Sequence, residues 1–75
     1  MDCYAKDVHP GYLFSTGTGW IEVTEVKRDR GLAKKALTNE FVHDVTITVF
    51  HRMTRLTETI SCNGHKIFKN VIEGV

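Results

Sequence analysis

The chain has 75 residues and a net charge of +1, and it is 41% hydrophobic and 25% charged. These values are ordinary for a single soluble globular domain, and a domain of this size buries only about 60% of the surface that its unfolded chain exposes. The small size leaves little room for a deep substrate cavity, and the near-neutral charge does not by itself imply a polyanionic partner.

Neither a membrane segment nor a targeting segment is recognisable. No run approaches the ~18 apolar residues of a membrane span, and the N-terminus lacks the basic-then-apolar pattern of a signal peptide. Met1-Asp2-Cys3 also lacks the glycine that myristoylation requires. We therefore expect a cytoplasmic protein without a membrane partner, whose Cys3 and Cys62 are reduced thiols.

A β-hairpin is predicted near the N-terminus, after a loose lead-in over residues 1–9. His9-Pro10-Gly11 is turn chemistry, because proline fixes one dihedral angle and glycine relaxes another. Tyr12–Ser15 then has the pattern of a short strand. Thr16-Gly17-Thr18-Gly19 is a second turn, and Trp20–Lys27 is a second strand that pairs with the first.

The positive charge is concentrated in residues 27–35. The apolar residues that follow Gly31 recur at helical spacing, which predicts one or two turns of helix near residues 31–38 with Gly31 as a weak N-cap. A basic loop is the alternative. Against one acid, Asp29, the stretch carries five cations: Lys27, Arg28, Arg30, Lys34 and Lys35.

The C-terminal part predicts a three-stranded meander over Asp44–Phe50, Leu56–Cys62 and His65–Val71. Apolar and polar residues alternate in these runs, and Asn63-Gly64 between two of them is the strongest short-range hairpin signal. A two-residue turn there sets Ile60 opposite Ile67 and pairs Glu58 with Lys69 across the strands.

A four-residue loop from His51 to Thr54 sets Val49 opposite Leu56 and Val45 opposite Ile60. Both turns then predict the same buried face. That face carries Val45, Ile47, Val49, Leu56, Ile60, Ile67 and Val71, with Phe50 and Phe68 on the opposite face.

We therefore predict one mainly β domain over residues 1–75. It is either a small barrel or a curled antiparallel sheet of about five strands. The N-terminal part of the chain resembles the opening hairpin of SH3-like small barrels, including small phage-encoded ones. The resemblance is carried by Val8-His9-Pro10-Gly11-Tyr12-Leu13, a glycine turn and then Trp20–Lys27. The resemblance covers roughly residues 8–72, and Tyr12 stands where such domains often carry an acid after the turn glycine.

Two residue sets suggest binding chemistry. Cations in residues 27–35 could neutralise phosphates, and Phe50 and Phe68 on a strand face beside Arg55 and Lys66 could stack nucleic-acid bases. The structural alternative is a solvated charged loop, with both phenylalanines buried by the N-terminal hairpin or the helix.

Other candidate sites are incomplete. Cys62 and His65 flank the Asn63-Gly64 turn as two possible zinc ligands, but only Cys3 and His9 could complete the set, and their spacing is not standard. Cys62 and His65 taken as a nucleophilic dyad lack an orienting third group. We expect no metal and no cofactor.

The sequence thus predicts a small non-enzymatic binding domain that docks onto a protein partner or a copy of itself. The expected contacts are Trp20, Phe50, Phe68 and an exposed strand edge. The alternative is a nucleic-acid-binding barrel that uses Lys27, Arg28, Arg30, Lys34 and Lys35 on phosphates.

Overall fold

The computed structural model describes residues 1–16 and 19–73. They form seven strands, one α-helix and one turn of 3₁₀ helix over Ala5–Asp7. The helix α1 spans Arg30–Thr38. The strands are β1 (Cys3–Tyr4), β2 (Leu13–Thr16), β3 (Gly19–Arg28), β4 (Val45–His51), β5 (Leu56–Cys62), β6 (Ile67–Phe68) and β7 (Val71–Ile72).

The strands form two antiparallel sheets. The larger has the order β5-β4-β3-β2-β7, and the smaller pairs β1 with β6. The prediction of a mainly β domain is confirmed. Of the two predicted architectures the structure has the open sheet: in the described part of the chain, β5 and β7 stand at its two ends and do not close a barrel.

The predicted N-terminal hairpin is present as β2 and β3, with Phe14 opposite Ile21. Residues 17 and 18, which the sequence assigned to its turn, lie outside the described residues. Strand β3 continues into a pairing with β4 that shifts register between Val23 and Glu25. The shift leaves Thr24 as an extra residue, and its hydroxyl donates to the carbonyl of Thr48 at 3.1 Å.

One face of the large sheet forms the core together with the N-terminal segment. Its completely buried members include Ala5, Val23 and Ile47. Of the predicted core, Val45, Ile47, Val49 and Val71 are buried and Ile60 is half-buried. The prediction is wrong for Leu56 and Ile67, which are 64% and 52% exposed.

The β4–β5 hairpin exists, but its predicted register is off by two residues. Val49 lies opposite Glu58 and His51 lies opposite Leu56, so the turn comprises residues 52–55. Arg55 adopts a left-handed conformation with φ of 60° there, and its N–H donates to the carbonyl of His51 at 2.7 Å. A slip of two residues keeps every side chain on its predicted face, which is why the buried face of β4 was predicted correctly.

The predicted Asn63-Gly64 hairpin is wrong, and so are the pairings of Ile60 with Ile67 and of Glu58 with Lys69. Strand β6 pairs with β1, and Glu58 instead contacts His51, with 2.8 Å between Oε2 and Nε2. A tight two-residue hairpin of type I′ requires positive φ at both central residues, and in the described chain neither Asn63 nor Gly64 has it.

Asn63 and Gly64 are instead buried and held by groups elsewhere in the fold. The Asn63 Nδ2 donates to the carbonyls of Ala36, Asn39 and Val42 at 3.0–3.1 Å. The Gly64 N–H donates to Oδ1 of the buried Asp44 at 2.6 Å. These contacts turn the chain away from β5 and toward β1.

Helix α1 confirms the predicted helix, but its N-cap is Asp29 rather than Gly31. The Asp29 Oδ1 accepts from the N–H groups of Gly31 and Leu32 at 2.9 and 3.2 Å, which satisfies two otherwise unpaired donors of the first turn. No helix within the described residues has the length and apolar character that crossing a bilayer would require.

Candidate functional site

The outer face of the large sheet, opposite the core, carries a row of side chains that crosses all five strands. In this row Ile72 lies opposite Leu13, Leu13 opposite Glu22, Glu22 opposite Phe50, and Phe50 opposite Thr57. Trp20 lies two residues before Glu22 on the same face of β3, because strand side chains alternate. We call Leu13, Trp20, Phe50 and Ile72 the outer patch.

The outer patch combines apolar surface with one ion pair. Trp20 is 40% exposed and Ile72 is 47% exposed, whereas Leu13 and Phe50 are half-buried. Among them the Arg52 Nη2 donates to Oε1 of Glu22 at 2.7 Å. The apolar side chains therefore surround a fixed pair of opposite charges.

Phe68, the third predicted partner-binding residue, lies apart from the outer patch. Its ring stacks on Phe14, with centroids 5.0 Å apart and planes at 21°, and it packs against the core. The Lys66 ammonium lies 5.6 Å from its ring centroid. The prediction that Phe50 and Phe68 share one face is wrong, because it depended on the hairpin that Asn63 and Gly64 do not form.

Strand β5 is the long exposed edge of the large sheet. It pairs with β4 over seven consecutive residues without a register shift and stands at the end of the strand order. Residues 56–59 and Ser61 are exposed, Ile60 is half-buried, and Cys62 is buried. The edge therefore presents one row of backbone donors and acceptors to solvent in the described fold.

The five cations of residues 27–35 separate into two groups. Lys27 lies 3.4 Å from Glu25, and the Arg28 Nε lies 3.4 Å from Oδ2 of the buried Asp44. The other three, Arg30, Lys34 and Lys35, are exposed on α1 and make no ion pair within residues 1–16 and 19–73. Arg28 thus pairs with a buried carboxylate, and the three cations on α1 have no ion-pair partner in the described part of the chain.

A shallow cavity of about 540 Å³ borders the Cys62 end of β5, with Glu40, Phe41, His43 and His65 in its lining. Phe41 is 83% exposed. Burial is the main reason that the pKa of the Cys62 thiol is raised, Lys66 opposes the shift, and Asp44 adds to it. A raised pKa disfavours the thiolate, which is the nucleophilic form of cysteine.

The metal and dyad hypotheses gain no support from this cavity. The Nδ1 of His65 is buried and has no hydrogen-bond partner in the described fold, so no acid orients the ring. Among residues 1–16 and 19–73, no three histidine, cysteine, aspartate or glutamate side chains come together as a metal-binding group. Cys62 is therefore best described as a buried member of the core.

The sequence alone did not identify Asp44 and Asn63 as important residues. Both are polar residues buried at strand ends, Asp44 directly before β4 and Asn63 directly after β5. A polar residue next to an alternating run is ordinary turn chemistry, so the sequence gives no signal that separates these two from solvent-exposed turn residues.

Comparison of the chain with protein-family models, with curated proteins and with solved structures found no match.

Proposed function

We propose that this chain is a small non-enzymatic binding domain that docks onto a protein partner through the outer patch. The observation that carries the proposal is the uncovered row from Ile72 to Phe50, with Trp20 beside it and the Glu22–Arg52 ion pair within it. The N-terminal segment packs in the core on the opposite face, and the last turn of α1 is hydrogen-bonded to Asn63 after β5.

The chemistry of the outer patch fits protein recognition. Tryptophan and arginine are the residue types most often found as binding hot spots, since each offers a large contact area with a polar group at its end. Trp20 and Arg52 are both present here, and the Glu22 carboxylate already orients Arg52. The opening β2–β3 hairpin, whose sequence resembles that of SH3-like domains, supplies Leu13, Trp20 and Glu22.

Trp20 is the single tryptophan of the chain, so its fluorescence reports directly on this face. Proteins captured from the native host would be identified, purified and titrated against the domain. We expect a bound partner to shift the Trp20 emission to shorter wavelength, because the indole leaves water. Phe50→Ala should weaken the same partner at least tenfold, as expected for truncation of a hot-spot residue.

Leu37→Ala is the matched control, because Leu37 is an exposed apolar residue on α1, away from the outer patch. It should bind the partner like the wild type. Binding that Leu37→Ala weakens and Phe50→Ala leaves unchanged would contradict the proposal. Both variants are compared by circular dichroism, so that a loss of fold is not taken for a loss of binding.

A second candidate function is phosphate-backbone binding by α1. The observation that favours it is the absence of ion-pair partners for Arg30, Lys34 and Lys35 in the described chain. Lys34 lies one turn after Arg30, so both project from the same side of the helix. Free cations of this kind release counterions from nucleic acid when they bind it.

This second candidate predicts binding that weakens steeply with salt. Labelled single-stranded and duplex nucleic acids would be titrated by fluorescence anisotropy at low and near-physiological salt. Lys34→Glu with Lys35→Glu should remove the binding without lowering the thermal midpoint, because both side chains are exposed. An absence of binding at low salt would eliminate this candidate.

A further inference from the structure

We propose that β5 pairs antiparallel with β5 of a second copy of this chain, so that the two five-stranded sheets join into one. The proposal goes beyond the proposed function, because it names one partner, a second copy, and the strand edge that receives it. The free edge of β5 and the outer patch, which lies on the outer face of β2, β3, β4 and β7, are different surfaces, so each is tested independently of the other.

The β5 edge lacks most features with which proteins protect an open edge. It has no proline, no lysine and no bulge over its seven paired residues. The other end of the sheet differs, because β7 is only two residues long. Short edge strands are themselves protective, so β5 is the edge that is suited to pairing.

The sequence of β5 is self-complementary about Thr59. In a two-fold antiparallel pair centred there, Thr59 faces Thr59 of the second copy, Thr57 faces Ser61, and Leu56 faces Cys62. The outer side of β5 carries only hydroxyl side chains, which lie opposite Thr48, Thr46 and Phe50 of β4. Threonine and serine pairs across strands are favourable through their hydroxyl hydrogen bonds.

Glu58 is the one charged residue of β5, and the same register accommodates it. It faces Ile60 of the second copy rather than another Glu58, so like charges are not directly opposed. Within its own chain Glu58 is already 2.8 Å from the Nε2 of His51. A register centred on Glu58 would instead place the two Glu58 carboxylates directly opposite each other. We therefore choose the register centred on Thr59 over that one.

Contacts at the ends of β5 are complementary as well. Antiparallel pairing brings Leu56 of one copy opposite Cys62 of the other, beside the cavity lined by Glu40 and Phe41. The β4–β5 turn that precedes Leu56 carries the exposed cation Arg55. Apolar Leu56 matches the exposed Phe41, and Arg55 matches the charge of Glu40.

These end contacts are needed because a strand edge alone is a small interface. Stable interfaces use about 20–30 residues and roughly 800 Å² on each side. Seven strand residues supply only part of that. Because the dimer is two-fold symmetric, the contact between the β4–β5 turn of one copy and the cavity of the other occurs twice. Both ends of the paired strands therefore add area to the interface.

The test is the mass of the protein in solution as a function of concentration, by sedimentation equilibrium. The wild type should move from 8.5 kDa toward twice that mass as concentration rises. Thr59→Lys and Thr59→Glu should each weaken the dimer by up to about fivefold, because each opposes two like charges at the two-fold axis. An equimolar mixture of the two variants should recover the dimer, since lysine then faces glutamate.

Thr57→Lys is the matched control, because it is the same change on the same face of β5, two residues away. In the proposed register this lysine faces Ser61 and not a second lysine, so it should weaken the dimer less than Thr59→Lys does. The thermal midpoints of all the variants are compared, since Thr57 and Thr59 are exposed and should leave the monomer folded.

Three results would each overturn the inference: a wild type that stays at 8.5 kDa at every concentration, a dimer that Thr59→Lys leaves intact, or a mixture of the Thr59 variants that stays monomeric. None of these results tests the outer patch, because that surface is tested by the binding of Phe50→Ala and Leu37→Ala to a different protein partner. A monomer whose binding depends on Phe50 would keep the proposed function and remove this inference.

Discussion

The backbone N–H of Gly64 donates a hydrogen bond to Oδ1 of Asp44, with 2.6 Å between nitrogen and oxygen. Both residues are buried, and they join the residue before β4 to the segment after β5. The other carboxylate oxygen of Asp44 faces the Nε of Arg28, 3.4 Å away at the end of β3. One buried carboxylate therefore connects three consecutive parts of the sheet.

Gly64→Ala should destabilise the fold by about 1–3 kcal/mol, the range for overpacking a tight site. A Cβ at this position would lie 3.0 and 3.2 Å from the two Asp44 oxygens and 3.3 Å from the Lys6 Cβ. Urea unfolding measures the loss. Gly31→Ala is the control: its Cβ would lie 3.2 Å from Oδ1 of Asp29, but that side chain is exposed and able to shift, and alanine favours a helix. Equal losses for the two variants would contradict this explanation.

Asn63→Asp should cost about 1–3 kcal/mol in unfolding free energy, because a carboxylate oxygen would replace the amide nitrogen that donates to three carbonyls. Asn39→Asp makes the same chemical change at an exposed residue. There the side chain acts as an acceptor, for the Phe41 N–H at 3.0 Å, and a carboxylate keeps that bond. We expect chemical denaturation to separate the two variants; similar midpoints would show that the Asn63 amide is dispensable.

Asp29→Ala should lower stability by about 1 kcal/mol, because it removes the acceptor of two N–H groups in the first turn of α1. In a domain of this size that corresponds to a fall of about 4–8 °C in the thermal midpoint. Asp29→Asn keeps a side-chain oxygen in place and should retain most of the stability. Calorimetry of both variants decides whether the capping oxygen is the cause.

Stability should fall at alkaline pH. Burial raises the pKa of the Cys62 thiol above its ordinary value of 9.0, so the folded state holds the proton to a higher pH than the unfolded state does. The contribution is present below the unfolded pKa and is lost as pH rises above it, at most about 1.4 kcal/mol per pH unit for one proton.

Burial also raises the pKa of the Cys3 thiol and of the Tyr12 hydroxyl, so the alkaline loss has three sources. Cys62→Ala should therefore flatten the decline of unfolding free energy between pH 8 and pH 10 without abolishing it. Urea titrations across this range provide the measurement. A Cys62→Ala variant with the same pH slope as the wild type would show that this thiol does not titrate differently on folding.

The alternation of apolar and polar residues predicted where strands occur better than it predicted which strands pair with each other. The β2–β3 hairpin, the helix after Asp29 and the buried face of β4 follow from local periodicity, which a single sequence contains. The pairing of β6 with β1 joins residues more than 60 positions apart, and no local pattern encodes such a contact.

Asn63-Gly64 shows why a strong local signal can fail. The dipeptide favours a tight turn, but Asn63 satisfies three carbonyls near the end of α1 and Gly64 allows Asp44 a close approach. These tertiary contacts outweigh the turn propensity. The observed site differs from the predicted one for the same reason. Phe68 packs against the core instead of sharing a face with Phe50, and Leu13 and Ile72 lie with Trp20 and Phe50 on the outer face.

Two strand pairings, β1 with β6 and β2 with β7, join residues far apart in the sequence and bear on the order in which the fold forms. Residues 19–62 form β3, α1, β4 and β5 from contacts close in sequence, so this part can take shape while the chain is still growing. Strand β1 instead pairs with β6, and β2 pairs both with the neighbouring β3 and with β7 near residue 70. We therefore expect β1 to be the last of these strands to pair during folding, because its partner lies more than 60 residues away in the sequence.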